Sequence, residues 1–346
     1  MRSFMEIVEY TDGFESQWKA YLDEKEFSTF AHQIEWKAVL EKSFKQKPVY
    51  LLAKDEDRVV GILPLFYYSS FLFGKFLISL PWLDYGGVCS DSVEVQEKLI
   101  DKAIEVTREK GCKFLELRSV KVEDKMLTTK TSKVTFILEL DPDPEKVWKR
   151  IDSKARNQVR KAQKSGLEII FGREENLDQF YSVFSVNMRD VGTPVWTKEL
   201  FKNILTYFPD KSEIALVRLK DKVIGGGLVL YFKEMLTVPS ASSLGSYLNL
   251  CPNNLLYWEI IQRGCTKGYK KFDLGRSTRN SGTFSFKSQW VKEPTQLYWQ
   301  YYLNKLKNLP ELNPESSKFS LGIKLWKKLP QSWANFLGPK IVKNLP

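Results

Sequence analysis

Apolar and polar positions along the chain follow two periods, and their order sketches a fold. Residues 32–44 set Ile34, Val39 and Leu40 among polar side chains and predict a helix, with His32 at its start as a capping residue. Residues 48–53 predict a strand, Asp55-Glu56-Asp57 a turn, and residues 59–68 a second strand, so this stretch reads as a hairpin. A further apolar strand, 76–80, runs into Pro81 and the loop LDYGGV at 83–88. Residues 93–110 carry Leu99, Ile100, Ala103, Ile104 and Val106 near helical spacing, and Gly111 ends that helix. Strands at 114–117 and 134–140 follow, and Asp141-Pro142-Asp143-Pro144 then breaks the pattern.

The second half runs through the same order. Residues 178–188 predict a helix. Residues 213–219 predict a strand, Lys220-Asp221-Lys222 a turn, and 223–232 a strand. A helix at 255–267, capped by Asn253 or Asn254, ends at Gly268 before a strand at 271–274. The letters repeat as well. AKDEDRVVG (53–61) parallels VRLKDKVIG (217–225), and KGCKFLELRS (110–119) parallels KGYKKFDLGRS (267–277). Two matches at nearly one offset predict a duplicated α/β unit built on a mixed sheet rather than a doubly wound one. The expected division is 1–141, 142–304 and a helical tail at 305–346.

Composition narrows what such a chain does. With 346 residues, 43% of them hydrophobic, it can bury a sizeable core. The net charge of +11 is unevenly placed: −4 over 1–141, +9 over 142–304 and +6 over 305–346. The basic half points to a polyanionic partner: nucleic acid, a phosphate-rich ligand or anionic lipid. Residues Met1 to Tyr10 hold no apolar run of the signal-peptide kind, and no window of eighteen apolar residues occurs. The cysteines, Cys89, Cys112, Cys251 and Cys265, are scattered, and His32 is the only histidine. That set predicts no metal site, no disulfide framework and no histidine-based triad, and fits a reduced, cytoplasmic setting.

Four stretches give the order a family likeness: HQIEWKAVL (32–40), LPWLDYGGV (80–88), SKARNQVRKAQKSGLEI (153–169) and FDLGRSTRNSGTFSFKSQW (272–290). Over about residues 25–305 the chain resembles the acetyltransferase (GNAT) superfamily, and more closely the Fem family of tandem-GNAT aminoacyl transferases. The resemblance implies two tandem GNAT-like (acyl-CoA N-acyltransferase fold) α/β domains. It also implies transfer of an aminoacyl group from aminoacyl-tRNA to an amine of a peptidoglycan or envelope precursor, with no cofactor or metal. Single-domain acetyltransferases hold the CoA pyrophosphate on a [Q/R]xxGx[G/A] loop before a helix. The corresponding SYLNLCPNNLLYWEII (246–261) lacks those glycines, which weakens an acyl-CoA reading, although a helix N-terminus can bind phosphate without them.

Residue by residue, Phe286 and Lys287 match the family's FK pair, and Lys287 is the first choice to stabilise the oxyanion of ester aminolysis. A surface lysine on a strand edge is the ordinary reading of the same position. Arg189, in an Arg-Asp pair after the 178–188 helix, matches an arginine that contacts the acceptor; a helix-end ion pair is the plainer reading. Asp273, Arg276 and Ser277 sit where a strand ends, Asp273 as a candidate base, yet Glu116, Arg118 and Ser119 at matching places of the first repeat favour a structural role. Asp84 and Tyr85 flank Gly86-Gly87, which would let backbone approach a ligand or simply form a tight turn.

Two basic stretches remain. In residues 153–167, Ala155, Val159 and Ala162 continue an apolar stripe from Ile151, while Lys154, Arg156, Arg160, Lys161 and Lys164 meet no acid: a solvated helix face, or a tRNA-phosphate contact. The tail from 317 mixes six lysines with Leu325, Trp326, Trp333 and Phe336, either as a docked helical pair broken by Pro330 and Pro339 or as a peripheral contact with an anionic membrane at its inner face. The competing activities are an acyl-CoA-dependent N-acyltransferase acting on an amino sugar or amino acid in envelope or exopolysaccharide synthesis, and a catalytically inert scaffold.

Overall fold

The computed structural model describes residues 5–70, 74–310 and 317–344. It contains two compact units: residues 1–133 with 296–311 and 344–346, and residues 134–295 with 312–343.

The first unit runs β1 (Met5–Glu9), α1 (Glu15–Glu24), α2 (Glu35–Phe44), β2 (Lys47–Asp55), β3 (Arg58–Ser70), β4 (Gly74–Ser79), α3 (Val93–Glu109), β5 (Phe114–Ser119) and β6 (Thr128–Lys130). Helix α3 forms because Ser92 caps it, accepting the Val95 N–H, and because Val95, Leu99, Ile100, Ala103 and Val106 make one buried stripe. That stripe packs on β2 and β3, and Gly111, at φ 62°, turns the chain out of the helix. The sheet order is β1-β2-β3-β4-β5, then the strand Tyr298–Leu303, then β6, with the short Cys89–Ser90 piece on β3.

The second unit runs β7 (Ile137–Glu139), α4 (Pro144–Arg150), α5 (Ser153–Lys164), β8 (Leu167–Gly172), α6 (Glu174–Val191), α7 (Lys198–Tyr207), β9 (Ser212–Leu219), β10 (Lys222–Phe232), β11 (Met235–Ser243), α8 (Pro252–Thr266), β12 (Lys271–Asp273) and α9 (Gly282–Lys287). Its sheet order is β8-β9-β10-β11-β12-β7. Helix α8 packs against α5, and α6 packs across β9, β10 and β11. The helices α10 (Ser317–Lys327) and α11 (Gln331–Val342) both pack on α6.

The duplication seen in the letters is present in the backbone. In the two hairpins, Glu56 and Lys220 occupy the same place of the repeated string and both have left-handed φ, 54° and 52°. Both hairpins carry a bulge at the same step: Ala53 pairs Gly61 and Lys54 pairs Val59, as Val217 pairs Gly225 and Arg218 pairs Val223. In each unit three antiparallel pairs are followed by a parallel one. Ile78 lies opposite Glu116 in β4–β5, and Thr237 lies opposite Asp273 in β11–β12. The acids Glu116 and Asp273 therefore share one position of the duplicated sheet.

Several elements differ from the sequence reading. The 134–140 stretch splits into Lys133–Thr135 and Ile137–Glu139, and β7 pairs β12, so it belongs to the second unit's sheet. Tyr298–Leu303 inserts between β5 and β6 of the first unit's sheet. Each of these two sheets thus takes a strand from across the break at 141. Helix α8 begins at Pro252 with Cys251 as its cap residue; Asn253 and Asn254 lie inside its first turn, because proline is preorganised for the first helical position. Pro339 does not interrupt α11, whose Ala334, Gly338 and Val342 face is held against the second unit. A Cβ on Gly338 would stand 2.8 Å from the Val195 nitrogen, so the helix sits directly on backbone.

Candidate active site

Strands β11 and β12 run parallel for only three residue pairs, ending at Thr237 and Asp273. Beyond that point β11 continues to Ser243, whereas β12 stops and the chain turns at Gly275, φ 79°. This divergence gathers the polar groups of the second unit. Asp273, 2% exposed, accepts the Thr135 hydroxyl and the Gly275 N–H (2.8 Å) on Oδ1. Lys287, 7% exposed, ends α9 and donates from Nζ to the carbonyls of Gly275 (2.7 Å) and Arg276 (3.0 Å). An acid and an ammonium thus grip the same turn. Ser277, 2% exposed, follows directly, and its hydroxyl meets no hydrogen-bond partner.

An aromatic floor supports these groups. Phe286 stands edge-on to Tyr257 (5.1 Å) and packs beside Trp290, while Phe284 stands edge-on to Phe136. Burial raises the Tyr257 hydroxyl well above its usual pKa, and the negative charge of Asp273 adds to the rise, so the phenol stays neutral. At the far end of β11, a polar seam crosses three helices. Ser242 donates to Asn187, Asn187 to the Ser243 carbonyl, Ser243 to Asn253, and Asn254 to Gln158 of α5.

The α8 N-terminus has little capacity for an anion. Pro252 has no N–H, and the amides of Asn254 and Leu255 both bond to the Cys251 carbonyl, at 3.1 and 3.4 Å. Basic capacity lies instead on α5. Arg156 donates to the Trp148 and Lys149 carbonyls and Arg160 stacks over Trp148, so both arginines help fasten α4. Lys154, Lys161 and Lys164 point to solvent, and among the described residues no carboxylate pairs with any of the five.

The family model for the acetyltransferase (GNAT) domain matches residues 149–288, which span the divergent strands, α9 and Lys287. Residues 149–288 form a GNAT domain, and the chain as a whole has a tandem GNAT-like fold. Its fold is that of FemX, at 13% identity over 87% of this chain and 98% of that one, with a TM-score of 0.67. L-PGS from Bacillus licheniformis matches at 13% identity over 91% and 97%, TM-score 0.56. A tandem GNAT protein from the clavulanic acid biosynthesis pathway matches at 10% over 86% and 97%, TM-score 0.53. No curated protein matches. The GNAT domain makes the chain an enzyme of the acyltransferase class.

Within the GNAT domain the residues singled out from the sequence fall into three groups. Asp273, Arg276, Ser277, Phe286 and Lys287 come together around the Gly275 turn, Phe286 through packing of its ring. Lys287 is a buried helix-end residue rather than a lysine on a strand edge. Arg189 engages its neighbour, donating from Nε and Nη2 to one oxygen of Asp190 at 2.9 and 2.6 Å, as in the helix-end ion pair. Asp84 and Tyr85 belong to the other unit, half-buried in a loop fastened on both sides. Arg118 donates to the Leu83 carbonyl, the Gly86 N–H donates to the Arg118 carbonyl, His32 bonds the Gly87 carbonyl, and Glu123 accepts the Val88 N–H. His32 also closes a capping box with Thr29. The seam of Asn187, Ser242, Ser243 and Asn253 went unread in the sequence; its signal is the run of serines ending an otherwise buried strand.

Proposed function

We propose that the chain transfers an aminoacyl group from aminoacyl-tRNA to an amine of a peptidoglycan or other envelope precursor, in the cytoplasm. The observation that carries this reading is where the second unit keeps its capacity for phosphate. The α8 N-terminus, where a CoA pyrophosphate would sit, starts with a proline that has no N–H and has its Asn254 and Leu255 amides turned to the Cys251 carbonyl, while α5 beside it presents lysines that pair with no carboxylate among the described residues. The fold shared with FemX supports the same reading.

In this reaction the acceptor amine attacks the ester carbonyl. A C–N bond forms, the ester C–O bond breaks, and the tRNA ribose hydroxyl leaves with a proton. Lys287, aimed by the Gly275 and Arg276 carbonyls, supplies the positive charge that stabilises the tetrahedral oxyanion. Asp273 holds the same turn through the Gly275 N–H and so acts as a positioning residue. Ser277 offers a buried hydroxyl to the substrate. Ester aminolysis needs no strong base, and the amine's proton can pass to the leaving oxygen.

The acyl-CoA reading draws on the acetyltransferase class of the matched domain. The two separate when the protein is given an amine acceptor with either charged tRNA or acyl-CoA, and ester or thioester consumption is followed. Turnover with charged tRNA, lowered about 10²–10³-fold in kcat by Lys287→Met, is the expected result. Turnover with the thioester alone overturns it.

A further inference from the structure

Helix α11 has two opposed faces. Ala334, Gly338 and Val342 are buried against the second unit, and the neighbouring Trp326 of α10 is buried with them. On the other side, Trp333, Phe336, Lys340 and Lys343 recur at i, i+3, i+7 and i+10, the spacing of one helical stripe. Trp333 is 57% exposed and Phe336 58%, and the Lys340 ammonium lies 3.6 Å from the Phe336 ring centre. On α10, Leu325 is 61% exposed between the exposed Lys324 and Lys328. The tail is therefore fastened to the GNAT unit by one set of apolar side chains and displays a second set that the fold does not use. From residue 317 to the end the sequence holds six lysines and no acid.

We propose that this outer face of α10 and α11 docks on the surface of an anionic lipid bilayer, with Leu325, Trp333 and Phe336 entering the headgroup region and the lysines meeting lipid phosphates. Tryptophan and phenylalanine beside lysine suit the interface, where the ring sits at headgroup depth and the ammonium remains in water. Charge excludes a second copy of the chain as the occupant: a symmetric pairing would bring two six-lysine tails together with no acid to offset them. RNA phosphates would answer the lysines but leave exposed Leu325 without a use. The proposal stands apart from the choice of acyl donor, since it concerns a surface remote in sequence from Lys287.

The test is co-sedimentation of the full chain with vesicles of phosphatidylcholine alone and of equal parts phosphatidylcholine and phosphatidylglycerol. Binding to the anionic vesicles only, weakened by salt, is expected. Trp333→Ser with Phe336→Ser should lower that binding at least tenfold, and Lys324→Gln with Lys328→Gln by about fivefold for each lysine. All four positions are exposed, so thermal melting and acyl transfer to a soluble acceptor should be unchanged. No anionic-vesicle binding, or binding that both pairs leave intact, overturns the proposal. So does loss of tRNA binding in the aromatic pair with vesicle binding retained, which would make the face an RNA surface.

Discussion

Two buried glutamates show how the same side chain acquires opposite pH behaviour. Burial pushes Glu123 up to about 7, against the Val88 N–H and Ser119, which pull it down. Its unfolded value is about 4.3, so the folded state keeps a proton that the unfolded chain releases. Stability is then full below the unfolded value and falls as pH rises toward 7, by on the order of 3 kcal/mol. Glu123→Gln should flatten that fall in denaturant midpoints measured across the range; an unchanged slope would assign it elsewhere. Burial also acts on Glu213, but a two-point fork from Arg263 (2.6 Å on each oxygen) with Tyr231 and Lys267 outweighs it and lowers its pKa. Its contribution is present above the ordinary carboxylate range and is lost as pH falls. Arg263→Met, leaving a buried carboxylate short of partners, should cost about 3 kcal/mol, measurable by chemical denaturation at neutral pH. Gly87 is required for room rather than for its φ: a Cβ there would stand 2.0 Å from Glu123 Oε1, forcing the carboxyl off Val88. None of these roles was legible in the letters. Glu123 is one acid in an exposed-looking run, and only the fold brings it beneath the glycine loop.

The elements read from the sequence have one apolar face, but such a face did not guarantee reading: helix α7, with Leu200, Phe201, Ile204 and Leu205 buried, went unread. Helix α3 and the two hairpins carry buried stripes that the period reveals directly. Strand β11 escapes notice because serines take its buried positions: Ser240 and Ser242 continue the inward alternation begun by Leu236 and Val238. Helix α5 was read correctly as amphipathic, yet its basic side chains divide in a way spacing cannot express. Arg156 and Arg160 fasten α4, whereas Lys154, Lys161 and Lys164 are exposed. The lysines are therefore the cleaner probe of tRNA contact. Changing all three to Gln should reduce the dependence of log Kd on log salt by about 2–3 without lowering the melting temperature. The arginine pair should lose both binding and stability. An unchanged slope in the lysine variant would remove α5 from the tRNA path.

At the scale of the whole molecule, each of the two large sheets takes in a strand from beyond the break at Asp141-Pro142: β7 at the edge of the second unit's sheet, Tyr298–Leu303 between β5 and β6 of the first. Tyr301 lies opposite Glu116 in that inserted strand and is buried. Tyr301→Pro removes a ladder amide there. Hydrogen exchange should quicken in β5 and β6 while β9 and β10 keep their protection. Equal loss in both sheets would mean that the two units unfold as one. The repeated strings, the helical and strand periods and the charge of each segment are local properties, and the sequence by itself determined them: a duplicated α/β unit, its hairpins, and a basic second half. The tertiary structure alone decided the rest. It decided which strand closes which sheet, that Lys287 is buried against the Gly275 turn, that Glu123 lies under Gly87, and which tail aromatics face outward. Those outcomes depend on contacts between residues far apart in the chain, and neither period nor composition encodes the partner of a side chain.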